Sequence, residues 1–180
     1  YGTSRLTYLT VPEPHSNICS GLSVDSAFYL VETTGDVLVV KNGVVARVRS
    51  PERIIGLRAS DSGFVAIGMS AILRLDRDLK VIEKTAFPIN SSLVLAGLGR
   101  SEAFGVADDS TLYVIGYNGT IERIERVAET VERVFVADDM VIFTSPYLSY
   151  FYSRAQESWS IYDWSRLISI RSLRIMPAVC

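Results

Sequence analysis

The sequence predicts an all-β fold built from a repeated unit, and three observations carry that expectation. Lys41-Asn42-Gly43-Val44-Val45-Ala46-Arg47-Val48-Arg49 is echoed by Tyr117-Asn118-Gly119-Thr120-Ile121-Glu122-Arg123-Ile124-Glu125. The two Asn-Gly pairs lie 76 residues apart, and Arg77-Asp78 falls between them where a middle copy would turn. Gly-Leu pairs recur at Gly21-Leu22, Gly56-Leu57 and Gly97-Leu98, at intervals of 35 and 41 residues. Phe28, Phe64 and Phe104 follow at intervals of 36 and 40.

Within each copy, short apolar runs alternate with turn chemistry. The first holds Ile18–Val24, a turn at Asp25-Ser26, then Ala27–Glu32, Gly35-Asp36, Val37–Lys41, Asn42-Gly43 and Val44–Arg49. Asn-Gly accepts the positive φ angles of a type I′ hairpin, and the flanking β-branched residues favour paired strands. The second copy runs through Ile54–Ala59, Phe64–Met69, Ala71–Leu75 and, after Arg77-Asp78, Leu79–Lys84. The third runs through Leu93–Leu98, Glu102–Ala107, Thr111–Tyr117 and Thr120–Val127. A fourth, the most divergent, comprises Arg133–Ala137, Met140–Thr144, Leu148–Ser153 and Trp159–Trp164. Leu6–Val11 and Ser169–Val179 are left as terminal, closing strands.

A period near 40 residues with four strands per copy is that of a β-propeller blade. The expected architecture is therefore one domain over residues 1–180, a propeller of about four to five four-stranded blades or part of a larger ring. The copies span approximately 18–50, 53–86, 93–127 and 131–165. One segment competes with this reading. Ile121, Ile124, Ala128, Val131 and Phe135 recur at spacings of three and four, with Glu and Arg between them, as in an amphipathic helix. The repeat sets Ile121 and Ile124 against Val45 and Val48, and assigns the segment to a strand.

The rhythm resembles the broad β-propeller group, WD40-like in period, across residues 18–164. The Trp-Asp and Gly-His signatures of WD40 repeats and the Gly-Gly of kelch repeats are absent, so the resemblance carries no residue role with it. What it implies is a rigid platform that binds another protein, and less often an enzyme or a sugar binder.

Composition narrows the partners. With 18 basic and 20 acidic residues, the chain has no bulk attraction for nucleic acid. Apolar residues make up 48% of it, yet runs such as Val37-Leu38-Val39-Val40 are far too short to span a bilayer. The excess apolar surface is expected in a core and in a contact with a protein partner or a second copy. Scarce amides and an excess of Arg over Lys fit a thermophile. The chain begins at Tyr1, so a preceding targeting segment is not legible; a cytoplasmic location is expected.

No constellation for catalysis stands out, and the protein is expected not to be an enzyme. His15, the single histidine, sits in an extended Pro-rich segment and reads as a solvated loop residue. No metal site and no cofactor are expected. Val-Ala-Asp-Asp occurs twice, ending at Asp108-Asp109 and Asp138-Asp139, and Asp favours turns by capping nearby backbone N–H groups. Cys19 and Cys180 are a disulfide candidate, because ring closure brings the chain ends together. Such a bridge would contribute about 4–5 kcal/mol; two buried free thiols are the alternative. The densest feature is aromatic: Tyr147, Tyr150, Tyr152, Trp159, Tyr162 and Trp164, together with Phe151. Such rings either pack between blades or form a partner surface. Those six residues are the candidate partner-binding site.

Overall fold

A computed structural model of the chain describes residues 17–137 and 140–164. These residues form four four-stranded antiparallel sheets, and no helix occurs among them. The first comprises β1 (Ile18–Val24), β2 (Ala27–Glu32), β3 (Val37–Lys41) and β4 (Val44–Val48). The second holds β5 (Ile54–Ser60), β6 (Gly63–Gly68), β7 (Ala71–Leu75) and β8 (Val81–Ala86). The third holds β9 (Leu93–Leu98), β10 (Glu102–Ala107), β11 (Thr111–Gly116) and β12 (Ile121–Arg126). The fourth holds β13 (Arg133–Ala137), β14 (Met140–Thr144), β15 (Leu148–Ser153) and β16 (Ser158–Asp163). Each sheet is a meander whose strands keep their sequence order. The innermost strands β1, β5, β9 and β13 pack in succession and face a common channel. The architecture is a β-propeller, and each sheet is one blade.

The turns show why the strands begin where they do. Asn42 and Gly43 both have positive φ (51° and 77°), which makes the two-residue type I′ hairpin between Lys41 and Val44. Its echo is a different turn. Only Gly119 is left-handed there (φ 91°), and Gly116 and Thr120 close a three-residue loop through a 2.9 Å backbone hydrogen bond. The Asn118 side chain accepts the Thr120 N–H. Arg77-Asp78 belongs to this second type, in which Leu79 (φ 62°) takes the place of Gly119. Asp76 Oδ1 accepts the N–H groups of Asp78 and Lys80, so the loop consumes Leu79 and Lys80. That is why β8 starts at Val81 rather than at the expected Leu79. Leu79 offsets its unfavourable backbone by burying its side chain in the core.

Packing between blades makes the core. Three apolar clusters join the first blade to the second, the second to the third, and the third to the fourth. Tyr29 of the first blade meets Phe64 of the second at 4.5 Å between ring centroids. Strand alternation then places Phe64 on the backward face of its blade. Phe104, by contrast, packs forward against the fourth blade, so the three phenylalanines share a rhythm without sharing a face. The Gly-Leu pairs divide likewise. Gly56 pairs with Ile67 and Gly97 with Phe104, both forward, whereas Gly21 pairs with Leu30 on the backward face of the first blade.

Gly97 is where two inner strands approach most closely. A Cβ there would lie 2.6 Å from Val136 and 2.7 Å from Val134 of the next blade. Gly97→Ala is expected to lower stability by about 1–3 kcal/mol through overpacking. Adding Val134→Ala should recover part of that loss in urea unfolding.

Polar ties hold the blade ends. The mostly buried Glu52 carboxylate accepts the N–H of Ser70 (2.8 Å) and pairs with Lys84 (2.8 Å). Burial pushes its pKa up, but the hydrogen bonds from Lys84 and Ser70 outweigh burial and hold it below the ordinary 4.5. The fold therefore favours the ionised form. Its contribution is complete above the ordinary value and is lost as pH falls through the lowered one. The stability gap between wild type and Glu52→Gln should hold steady above pH 4.5 and close below it, as read by urea titration across pH.

Candidate functional site

The aromatic segment divides between the two faces of the fourth blade. Val134, Phe143 and Tyr150 form one cross-strand row, and Val136, Val141, Tyr152 and Trp159 form the next. Both rows face the third blade. Tyr150 and Tyr152 are buried, and Tyr152 stacks obliquely on Trp159 with centroids 4.8 Å apart. Phe104 reaches Tyr152 from the third blade at 6.5 Å. Burial, and then the charge of Glu129, raise the Tyr150 phenol pKa. Three of the six candidate residues are thus occupied by packing within the chain.

The other three lie on the outward face. Tyr147, Tyr162 and Trp164 are 56%, 46% and 42% exposed. The Trp164 N–H donates to the Tyr147 carbonyl (2.8 Å), carrying the strand pairing one residue past β16. Trp164 Nε1 donates to Ser149 Oγ (2.8 Å), and the Tyr162 and Trp164 ring centroids are 4.6 Å apart. The indole is therefore held in place while its ring remains open to solvent. On the same face, Phe135 pairs through Ile142 to Phe151, and Met140 lies beside them. Arg133 is the one charged side chain of this face among the described residues. An apolar surface held by a rigid sheet and nearly free of charge has the chemistry of a protein contact.

Reading the segment as a run of aromatics missed Phe135, Met140 and Ile142. Their signal was available in alternation: with Tyr150 and Tyr152 inward, Phe151 and its cross-strand neighbours must face outward. Arg58 was missed with no comparable signal. It donates to the carbonyls of Gly99 and Arg100 and lies over the Tyr117 ring at 4.9 Å, joining the second blade to the third. Arg154 joins the fourth blade to the third through Glu102 (3.1 Å) and Glu122 (3.7 Å).

The channel offers a cavity of about 510 Å³ between the four inner strands, with Arg53, Glu132 and Arg133 among its lining residues. Cys19 also lines it. Its thiol is free and donates to the Val31 carbonyl (3.4 Å), in place of the expected bridge; Cys180 lies outside the described residues. Burial raises the Cys19 pKa, so the thiol stays protonated at neutral pH. Asp109 accepts the Thr111 N–H (3.0 Å), and the hydrogen bonds from Thr111 lower its pKa. This is the turn role expected of that pair. Asp138, Asp139, His15 and the terminal strands lie outside the described residues. Among the described residues no group of three His, Cys, Asp or Glu could hold a metal, and no helix is long and apolar enough to cross a membrane.

No protein-family model matches the chain, and no curated protein matches it in sequence. Its likeness is to solved propeller structures. A catalytically inactive virginiamycin B lyase from Staphylococcus aureus superposes with a TM-score of 0.67 at 12% identity, over 85% of this chain and 57% of that one. BBS1N, solved in complex with ARL6DN, superposes at 0.65 with 9% identity, over 83% and 55%. The WD40 β-propeller domain of Doa1 superposes at 0.64 with 13% identity, over 82% and 53%. At such identities the likeness establishes the fold alone. The chain spans about half the length of the structures it matches.

The two faces of the fourth blade differ in what they contribute. Tyr152→Ala is expected to cost about 3–5 kcal/mol, as for other large buried rings. Tyr147→Ala should change stability by less than about 0.5 kcal/mol. Chemical denaturation of the two variants checks both values.

Proposed function

We infer that the chain is a non-enzymatic platform that binds another protein through the outward face of its last blade. One observation carries this reading: Tyr147, Tyr162 and Trp164 stand exposed on a rigid sheet face beside Phe135 and Met140. Large amphipathic rings bury much area at little cost in side-chain entropy, which is why they dominate protein contacts. The comparisons support the reading at the level of the fold, since BBS1N was solved with a protein partner. A catalytic reading would begin from the lyase, whose likeness to this chain is likewise one of fold.

A second reading, binding of a carbohydrate or small ligand, has one observation in its favour. A cleft of about 380 Å³ between the outer strands of the third and fourth blades is lined by Tyr150, Trp159, Ile161 and Arg126. A sugar ring could stack on the indole there with polar groups at its edge.

A photo-crosslinking amino acid at Tyr162 tests the first reading. It should trap a protein, and the product should fade when Trp164→Ala is added. The same probe at Ile82, exposed on the second blade, should trap none. Equal trapping from both positions, or none from Tyr162, contradicts the platform. Quenching of Trp159 fluorescence by a glycan, retained in Trp164→Phe, would favour the second reading.

A further inference from the structure

We propose that two copies of this chain close one propeller ring head to tail, the outward face of the last blade of each covering the backward face of the other's first blade. This rests on the reading of the last blade's outward face as a protein-binding surface, and it names the partner.

The argument begins with the blades themselves. Four blades in a closed ring need four shared cores, but the described residues form three. β1 packs on β5, β5 on β9 and β9 on β13, with no comparable packing between β13 and β1. The arc therefore has two ends, and each end repeats a pattern that is covered elsewhere in the molecule.

At the leading end, Phe28 and Phe64 hold equivalent places. Phe28 pairs with Ser23 and Val40, and Phe64 with Ala59 and Leu75, one residue in from the hairpin turn in the first case and at the start of the strand in the second. Tyr29 and Val31 face the second blade, so alternation turns Phe28 backward, as Phe64 is turned. Phe64 is 3% exposed beneath the preceding blade; Phe28 is 54% exposed.

At the trailing end, the central cross-strand pair of each forward face seats the next blade. Val31 and Val37, Ile67 and Ile72, and Val106 and Leu112 are such pairs, each at 3% exposure or less. In the last blade the pair is Ile142 and Phe151, both only half-buried, beside the exposed Phe135. The chemistry for another blade is present without the blade.

Size selects a second copy as the occupant. A four-blade unit can superpose on a larger propeller only if its turn per blade matches, and this one covers 53–57% of the chains described above. A unit of that curvature fills about half a ring, and another such unit fills the rest. A half-turn about the channel axis makes two identical junctions, so the head-to-tail contact closes rather than growing into a filament.

Light scattering on the size-excluded 180-residue chain tests the proposal. The expected mass is twice the 19.9 kDa of one chain. Phe135→Asp alters one side of each junction and Phe28→Lys the other; because both residues are exposed, each variant should retain the strand-dominated circular dichroism of the wild type. Each alone should shift the chain to monomer. Mixing the two should restore a dimer, because one junction is then wholly wild type and the other joins Asp to Lys. A wild-type monomer at all concentrations overturns the ring. So does a dimer lost with Phe135→Asp but not with Phe28→Lys, which would mean that two last blades pair with each other. A dimer indifferent to both variants overturns it too. A monomer that still crosslinks a different protein from Tyr162 sinks the ring and leaves the platform standing.

Discussion

Everything in this molecule depends on one sheet face packing against the next. Hydrogen bonds hold the strands of a blade in register, but a lone four-stranded sheet leaves two faces uncovered. The interiors of the second and third blades are closed because each is covered on both sides. Ala66, Ile67, Leu73, Leu93, Ala103 and Ile115 are completely inaccessible there. Apolar area removed from water at about 25 cal/mol per Å² is the term that can offset the entropy of ordering the strands.

The inner strands set the geometry of that packing. Gly56 admits Leu98, and Gly97 admits the valines of β13, so successive blades converge on the channel. Polar groups reinforce the junctions without making them. Arg58 and Arg154 each reach from one blade to the next, while the mass of each junction is aliphatic and aromatic. Where a face has no neighbour, the same side chains stand in solvent, and the candidate surface is a consequence of the architecture. A core face and a binding face have the same chemistry here, and only occupancy distinguishes them.

Much of the architecture was legible in the sequence because turns and alternation are local. Asn42-Gly43 could hardly be other than a hairpin, and the repeat correctly drew Ile121–Arg126 into a strand against its helical spacing. Which face a side chain takes was less legible. Phe104 keeps time with Phe28 and Phe64 but points the other way, because turn lengths and bulges differ between copies. Leu79 hid a left-handed turn in which no glycine announced it. For the candidate site, the position of the aromatic cluster was readable. Its division into Tyr150, Tyr152 and Trp159 inward and Tyr147, Tyr162 and Trp164 outward required the cross-strand register.

Amide hydrogen exchange along the blades, at a dilution that keeps single copies apart, tests most directly whether face burial carries the stability. The third and fourth blades have the same four-stranded meander but differ in coverage, on two faces and on one. The account predicts the slowest exchange in β10 and β11 and clearly faster exchange in β14 and β15. Equal protection in the two pairs would mean that strand pairing, rather than packing between blades, holds the protein together.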